Sequence, residues 1–181
     1  YTELPEVESV YFRPPETAGS KSIIEEIKTW ADVEPEPMDQ FLTTFLSASA
    51  SAGVHEAALA RLGGLLFQHT LENGKRAAGA EGLKASSLMP AIAGAMRKYL
   101  RDAEVQRRGC AVIRGFAMMD GQLTPMLQEG GAKLAVDAVN AHPRVPDVFK
   151  TGTAAMEAMA SKAEPMDLQM MKEAGVHHER N

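Results

Sequence analysis

The sequence predicts an all-α fold of stacked helical repeats, and three observations predict it. The 181 residues are 45% apolar and 6% aromatic, with 28 alanines and 11 methionines against 5 isoleucines. That mixture suits helices and leaves little material for a sheet. A small residue followed by apolar residues four and seven positions on recurs at Ala58-Leu62-Leu65, Gly109-Ile113-Phe116 and Gly152-Met156-Met159. This spacing paints one buried stripe on a helix. The recurrence is itself periodic: Val105 falls on Val148, Ile92 on Ala135 and Met96 on Val139 at one spacing, while Val54 falls on Val105 and Phe41 on Ile92 at a slightly longer one. The extra residues of the longer spacing sit in the Gly-rich stretch Asn73–Gly82. A unit of this kind cannot bury its own apolar face, so units stack into a continuous core.

The elements follow in chain order. Residues 1–37 read as an acidic, Pro-containing arm with one short helix, and residues 38–181 as a helical repeat domain. Residues 1–20 are expected to be extended, because Pro5, Pro14 and Pro15 disfavour helix. Residues 21–31 are expected to be helical, capped by Ser20 or Ser22, with Ile23, Ile24, Ile27 and Trp30 on the apolar face. Residues 32–37, with Pro35 and Pro37, form a linker. The net charge of −5 is unevenly spread. Residues 1–40 hold ten acidic and three basic side chains, and the rest hold fourteen and sixteen, so the helical body is slightly basic.

The stretch from Ser87 to Lys162 resembles an armadillo repeat protein. Val105–Ala117 resembles that family's third helix, Gln122–Glu129 its first, Gly130-Gly131-Ala132 its turn, Lys133–Ala141 its second helix, and His142–Val148 its break before the next third helix. The resemblance covers roughly residues 40–175. It implies a short right-handed armadillo-like superhelical solenoid of about three repeats behind the extended N-terminal arm, with third helices lining a concave surface. Nuclear-import and catenin-like members grip peptides there through asparagines. The corresponding positions here are Gly64, Gly115 and Ala158, and the preferred tryptophan positions are Ala60, Ala111 and Ala154. The asparagine ladder is therefore missing, and a small-residue surface suited to a partner helix or chain segment takes its place.

Chemistry-bearing patterns are sparse. His55-Glu56 opens like a zinc-protease helix, but Leu59 stands where the second histidine belongs. Gly74-Lys75 lacks the earlier glycine and the following hydroxyl of a phosphate loop. Cys110 lies within an apolar helix and is expected to be a buried structural thiol; as the lone cysteine it excludes an internal disulfide and fits a reducing compartment. His177-His178 is expected to belong to a frayed tail. No catalytic, metal or cofactor site is expected. The charge balance argues against a specific nucleic-acid binder, and no run of apolar residues is long enough for a membrane span.

The expected function is a non-catalytic protein–protein interaction scaffold, the alternative being a structural accessory subunit built permanently into a large multiprotein complex. The chain is expected to be intracellular, or in an organelle after removal of a targeting peptide. Three groups are expected to touch partner chains. Tyr1, Tyr11 and Phe12 would anchor the arm. Arg107, Arg108 and Arg114, within a basic cluster that includes Arg97, Lys98 and Arg101, would dock an acidic segment, the chain's own arm included. Met166, Met170 and Met171 would face outward, because no further repeat follows to cover them.

Overall fold

Helices account for most of the chain, and among the described residues there is no strand. A computed structural model describes residues 11–29, 44–47, 49–71 and 83–177. Among the described residues eight helices pack together: α1 (Ala18–Thr29), α2 (Ala52–Leu71), α3 (Ala85–Lys98), α4 (Ala103–Met118), α5 (Leu123–Gln128), α6 (Gly131–Ala141), α7 (Pro146–Lys162) and α8 (Pro165–Glu173). The long helices α2, α4 and α7 lie side by side with α4 in the middle, and α1 covers the far side of α2. Helix α3 packs on α4 and α6, and α6 packs on α4 and α7. The short α5 and α8 pack on one another and on α6.

The apolar stripes fall where helical periodicity puts them. Val54, Ala58, Leu62 and Leu65 of α2, Val105, Ile113 and Phe116 of α4, and Val148 and Met159 of α7 are all buried. The small residues mark close crossings. Met96 of α3 lies over Gly109 of α4, where a methyl group would sit 2.5 Å from its sulfur. Val139 of α6 lies over Gly152 of α7, where a methyl would collide with its Cγ2. The two crossings use residues equivalent at the shorter repeat spacing. Helices can approach this closely only where one of them presents no Cβ.

Buried polar groups tie the connections. The Gln106 side chain, fully buried, donates from Nε2 to the carbonyls of Met96 (3.0 Å) and Tyr99 (2.9 Å), closing the C-terminus of α3. His142 Nε2 donates to the Leu100 carbonyl at 2.7 Å. Thr124 of α5 donates to Asp167 of α8 at 2.7 Å, and Asp167 also accepts from the Glu164 amide as part of a capping box.

The arm departs from expectation in two respects. Its helix starts at Ala18, and Thr17 caps it, accepting from the Ser20 amide at 3.1 Å, rather than Ser20 or Ser22. Ile27 is fully buried against the body, while Trp30 and the linker at 32–37 lie outside the described residues. The described part of the arm is also held by charges of both signs. Arg13 donates to both carboxylate oxygens of Asp102 at 2.8 and 2.9 Å and to Glu56 at 2.5 Å. Glu16 accepts from Ser51 Oγ at 2.6 Å and from the Gly53 amide at 2.9 Å, at the N-terminus of α2. A cation of the arm therefore lands on two carboxylates of the body. The acidic residues that give the arm its charge are mostly among residues 1–10 and 30–40, outside the described residues.

Asp102 joins these parts, since it also caps α4 by accepting from the Val105 amide at 3.2 Å. Burial pushes its carboxyl up, but the Arg13 hydrogen bonds and the α4 amides outweigh burial and hold it below the usual aspartate range. The stability this contributes is complete above the unfolded pKa and is lost as pH falls through the lower folded value. Acid urea melts should therefore show Asp102→Asn with a flatter dependence on pH below about 4 than the parent. At neutral pH, Arg13→Gln should cost about 2–3 kcal/mol, because Asp102 is left buried without its cation. Gly152→Leu should cost about 3 kcal/mol by overpacking. Gly64→Ala, with nothing within 4 Å of the new methyl, should add about 0.5–1 kcal/mol in the same melts.

Candidate functional site

Two surface grooves run along α2 and α4: α4 supplies much of the lining of the first and contributes Arg108 alone to the second. Successive residues on a helix point about 100° apart. Arg107 and Arg108, grouped in the sequence as one basic patch, therefore part company: Arg107 lines a groove shared with α2 and α7, Arg108 one shared with α1 and α2.

The first groove, about 460 Å³, has a floor of small residues: Gly63 of α2, Ala111 and Gly115 of α4, and Ala154 of α7. Its walls carry Arg107, Arg114 and Lys150, with Asp147 as the counter-charge and Phe67 and Met118 as the apolar contribution. Phe67 is 57% exposed. Arg107 is held by a two-pronged bond to Glu104, at 3.3 and 2.7 Å, which pushes the Glu104 carboxyl down and the guanidinium up. Three of the small positions singled out by the family resemblance, Ala111, Gly115 and Ala154, line this groove. Ala60 lines the other groove, Ala158 is buried, and Gly64 faces open space.

The second groove, about 440 Å³, is lined by Arg13 and Glu16 of the arm, Ile24 and Lys28 of α1, Gly53, Glu56, Ala57, Ala60 and Arg61 of α2, and Arg108 of α4. Its arm side is held in place by Arg13, by the Glu16 bonds and by the burial of Ile27.

The remaining expected contact residues are scattered. The Tyr11 ring lies 5.8 Å from the Arg101 guanidinium, and Phe12 is turned out to solvent. Tyr1 lies outside the described residues. The methionine group divides. Met166 is 65% exposed, Met170 is half-buried, and Met171 is buried in the core. Met171 is therefore corrected to a packing residue, because α8 turns that face inward onto its neighbours.

An outward face is nonetheless real. Gln106, Cys110, Ile113 and Ala117 of α4 are all buried. Their equivalents on α7, Phe149, Thr153, Met156 and Ala160, are exposed or half-buried, with Phe149 at 54%. Likewise Leu123 and Leu127 of α5 are buried, whereas their equivalents Met166 and Met170 are not.

Sequence reasoning missed Phe67, Lys150 and Arg61. The helical wheel could have found Phe67: it follows Leu65 and Leu66 on α2 and falls just off their buried stripe. Arg61 and Lys150 lie on different helices, so no local cluster marks them.

The other chemical candidates are structural. His55 is buried, donates through Nε2 to the Ser47 carbonyl at 2.9 Å and meets the Tyr99 ring edge-on at 5.3 Å. Burial pushes its pKa below the usual histidine range, against the opposing effect of the Ser47 bond. Glu56 is taken by Arg13. The Gly74-Lys75 pair and His178 lie outside the described residues, and His177 is exposed. Among the described residues no three His, Cys, Asp or Glu side chains converge to hold a metal, and no helix is long and apolar enough to cross a membrane. No family model, curated protein or solved structure matches the chain.

Cys110 lies fully buried where α4 meets α7, and burial pushes its thiol up to about 12. The thiolate is thus suppressed at neutral pH. A thiol-reactive disulfide reagent should label the native protein far more slowly than the urea-unfolded chain. Comparable rates in the two states would show that the α4–α7 contact opens readily.

Proposed function

We propose that the chain is a non-catalytic docking scaffold, a short right-handed armadillo-like solenoid that holds an acidic segment of a partner protein across α2, α4 and α7. The observation that carries this reading is the groove whose small-residue floor is walled by Arg107, Arg114 and Lys150. Ala111 and Ala154 leave room for a partner backbone or helix to approach closely, while Leu66 of α2 already fills the space beside Gly115. The cations set the sign of what approaches, and they speed encounter in a salt-dependent way. Phe67 and Met118 supply the adaptable apolar contacts that protein interfaces use. The recurrence of the same helix crossings at Gly109 and Gly152 supports the repeat architecture.

A second reading, a structural subunit held permanently in a large assembly, is favoured by the uncovered face of Phe149, Met156, Met166 and Met170. The two differ in behaviour. A docking scaffold purifies as a stable monomer, whereas a permanent subunit aggregates or associates through that face when alone.

Cross-linking mass spectrometry on native material tests the first reading by identifying the partner and the contacted face together. Cross-links from Lys150 to an acidic stretch of one protein are expected. Arg107→Glu with Arg114→Glu should weaken the isolated complex at least tenfold at low salt, and by less as salt rises. Cross-links confined to the Phe149 face, or binding untouched by the charge reversal, would remove the groove reading.

A further inference from the structure

We propose that the second groove, between α1, α2 and α4, is a binding site for a small oxyanion-bearing molecule, a phosphate or carboxylate with a compact apolar body. This site is separate from the docking groove and stands independently of it. Four cationic side chains line the groove, Arg13, Lys28, Arg61 and Arg108, against the two carboxylates Glu16 and Glu56. Both carboxylates are already engaged. Glu56 accepts from Arg13, and Glu16 accepts from Ser51 and the Gly53 amide. Arg13 is matched by Asp102 and Glu56, and Lys28 is matched by Glu25 at 3.1 Å.

That leaves Arg61 and Arg108. Among the described residues neither makes an ion pair, and the Nε of each is buried without a hydrogen-bond partner. Glu104, whose carboxylate feels the charge of Arg108, has both its oxygens on Arg107. Arg61 and Arg108 thus line one groove with unused Nε donors, while Glu16 and Glu56 in the same groove are bonded elsewhere. The planar fork of arginine suits phosphate and carboxylate oxygens in pairs. Ile24, Ala57 and Ala60 offer an apolar wall, and about 440 Å³ accommodates a small organic molecule.

The groove is also conditional. Its roof is α1 and the arm, and Arg13 fixes them to Asp102 and Glu56. Ligand binding therefore favours the docked arm, and loss of the Arg13 bonds weakens the site without touching Arg61 or Arg108.

Isothermal titration calorimetry of the full chain tests this, with phenyl phosphate, benzoate and an acetylated Glu-Phe dipeptide amide as probes and benzamide as the neutral control. An anion should bind one per chain and roughly tenfold or more tighter than benzamide. Arg61→Gln and Arg108→Gln should each lower that affinity about tenfold, with Lys replacements losing less because charge remains without the fork. Lys172→Gln, a comparable charge loss on α8, should leave it unchanged. Tighter binding of phenyl phosphate or benzoate identifies a free small molecule as the source. Preference for the dipeptide moves the oxyanion to a protein side chain and overturns the small-molecule assignment. The site is overturned outright if benzamide binds as well as the anions, or if both arginine variants keep full affinity. It is also overturned if no anion binds the parent while Arg61→Gln with Arg108→Gln melts lower than the parent in plain buffer, since the chain's own carboxylates would then fill the groove.

Discussion

The close approach of helices at glycine sets the spacing of everything else in this molecule. Met96 over Gly109 and Val139 over Gly152 bring α3 onto α4 and α6 onto α7 at distances a side chain would forbid. That contact lets Ile92, Val105, Ile113, Phe116 and Met159 close into a core with little aromatic volume. A third such crossing, Leu66 over Gly115, brings α2 onto α4, and α2, α4 and α7 lie side by side with grooves along their outward faces. The alanine and methionine of the composition match this geometry. Alanine allows neighbours near, and methionine fills the uneven gaps that result.

A second constraint is electrostatic and concerns the arm. Asp102 is at once the cap of α4 and the seat of Arg13, so the start of the central helix and the position of α1 depend on one carboxylate. The helix dipole favours a negative charge at that point, and the arginine uses the carboxylate's remaining lone pairs. The groove beneath α1 depends on that junction together with the Glu16 bonds to Ser51 and the Gly53 amide and the burial of Ile27.

The sequence displayed the helical class and the buried stripes because both are local. Ala58-Leu62-Leu65 and Gly109-Ile113-Phe116 lie within two turns of one helix, and the same spacing recurs. The anchoring of the arm was hidden because Arg13 finds its partners 43 and 89 residues away, while the arm's composition points to the opposite charge logic. The site was half legible. Arg107, Arg108 and Arg114 stood out as a cluster, yet their division between two grooves depends on helical phase, and Arg61 and Lys150 join them only through packing. Met171 was misread beside Met170 for a similar reason. Adjacent residues on α8 face different ways, and a run of like residues conceals that.

The two ends of the helical stack are unlike. At one end α1 turns Lys21, Ser22, Glu25 and Glu26 to solvent, with Ile23 exposed among them. At the other, Phe149 and Met166 stand where the interior of the stack has buried side chains. The same helix positions thus meet protein on α4 and α5 and water on α7 and α8. One and the same polar substitution therefore breaks packing at the first pair and merely exchanges one solvent-facing side chain for another at the second.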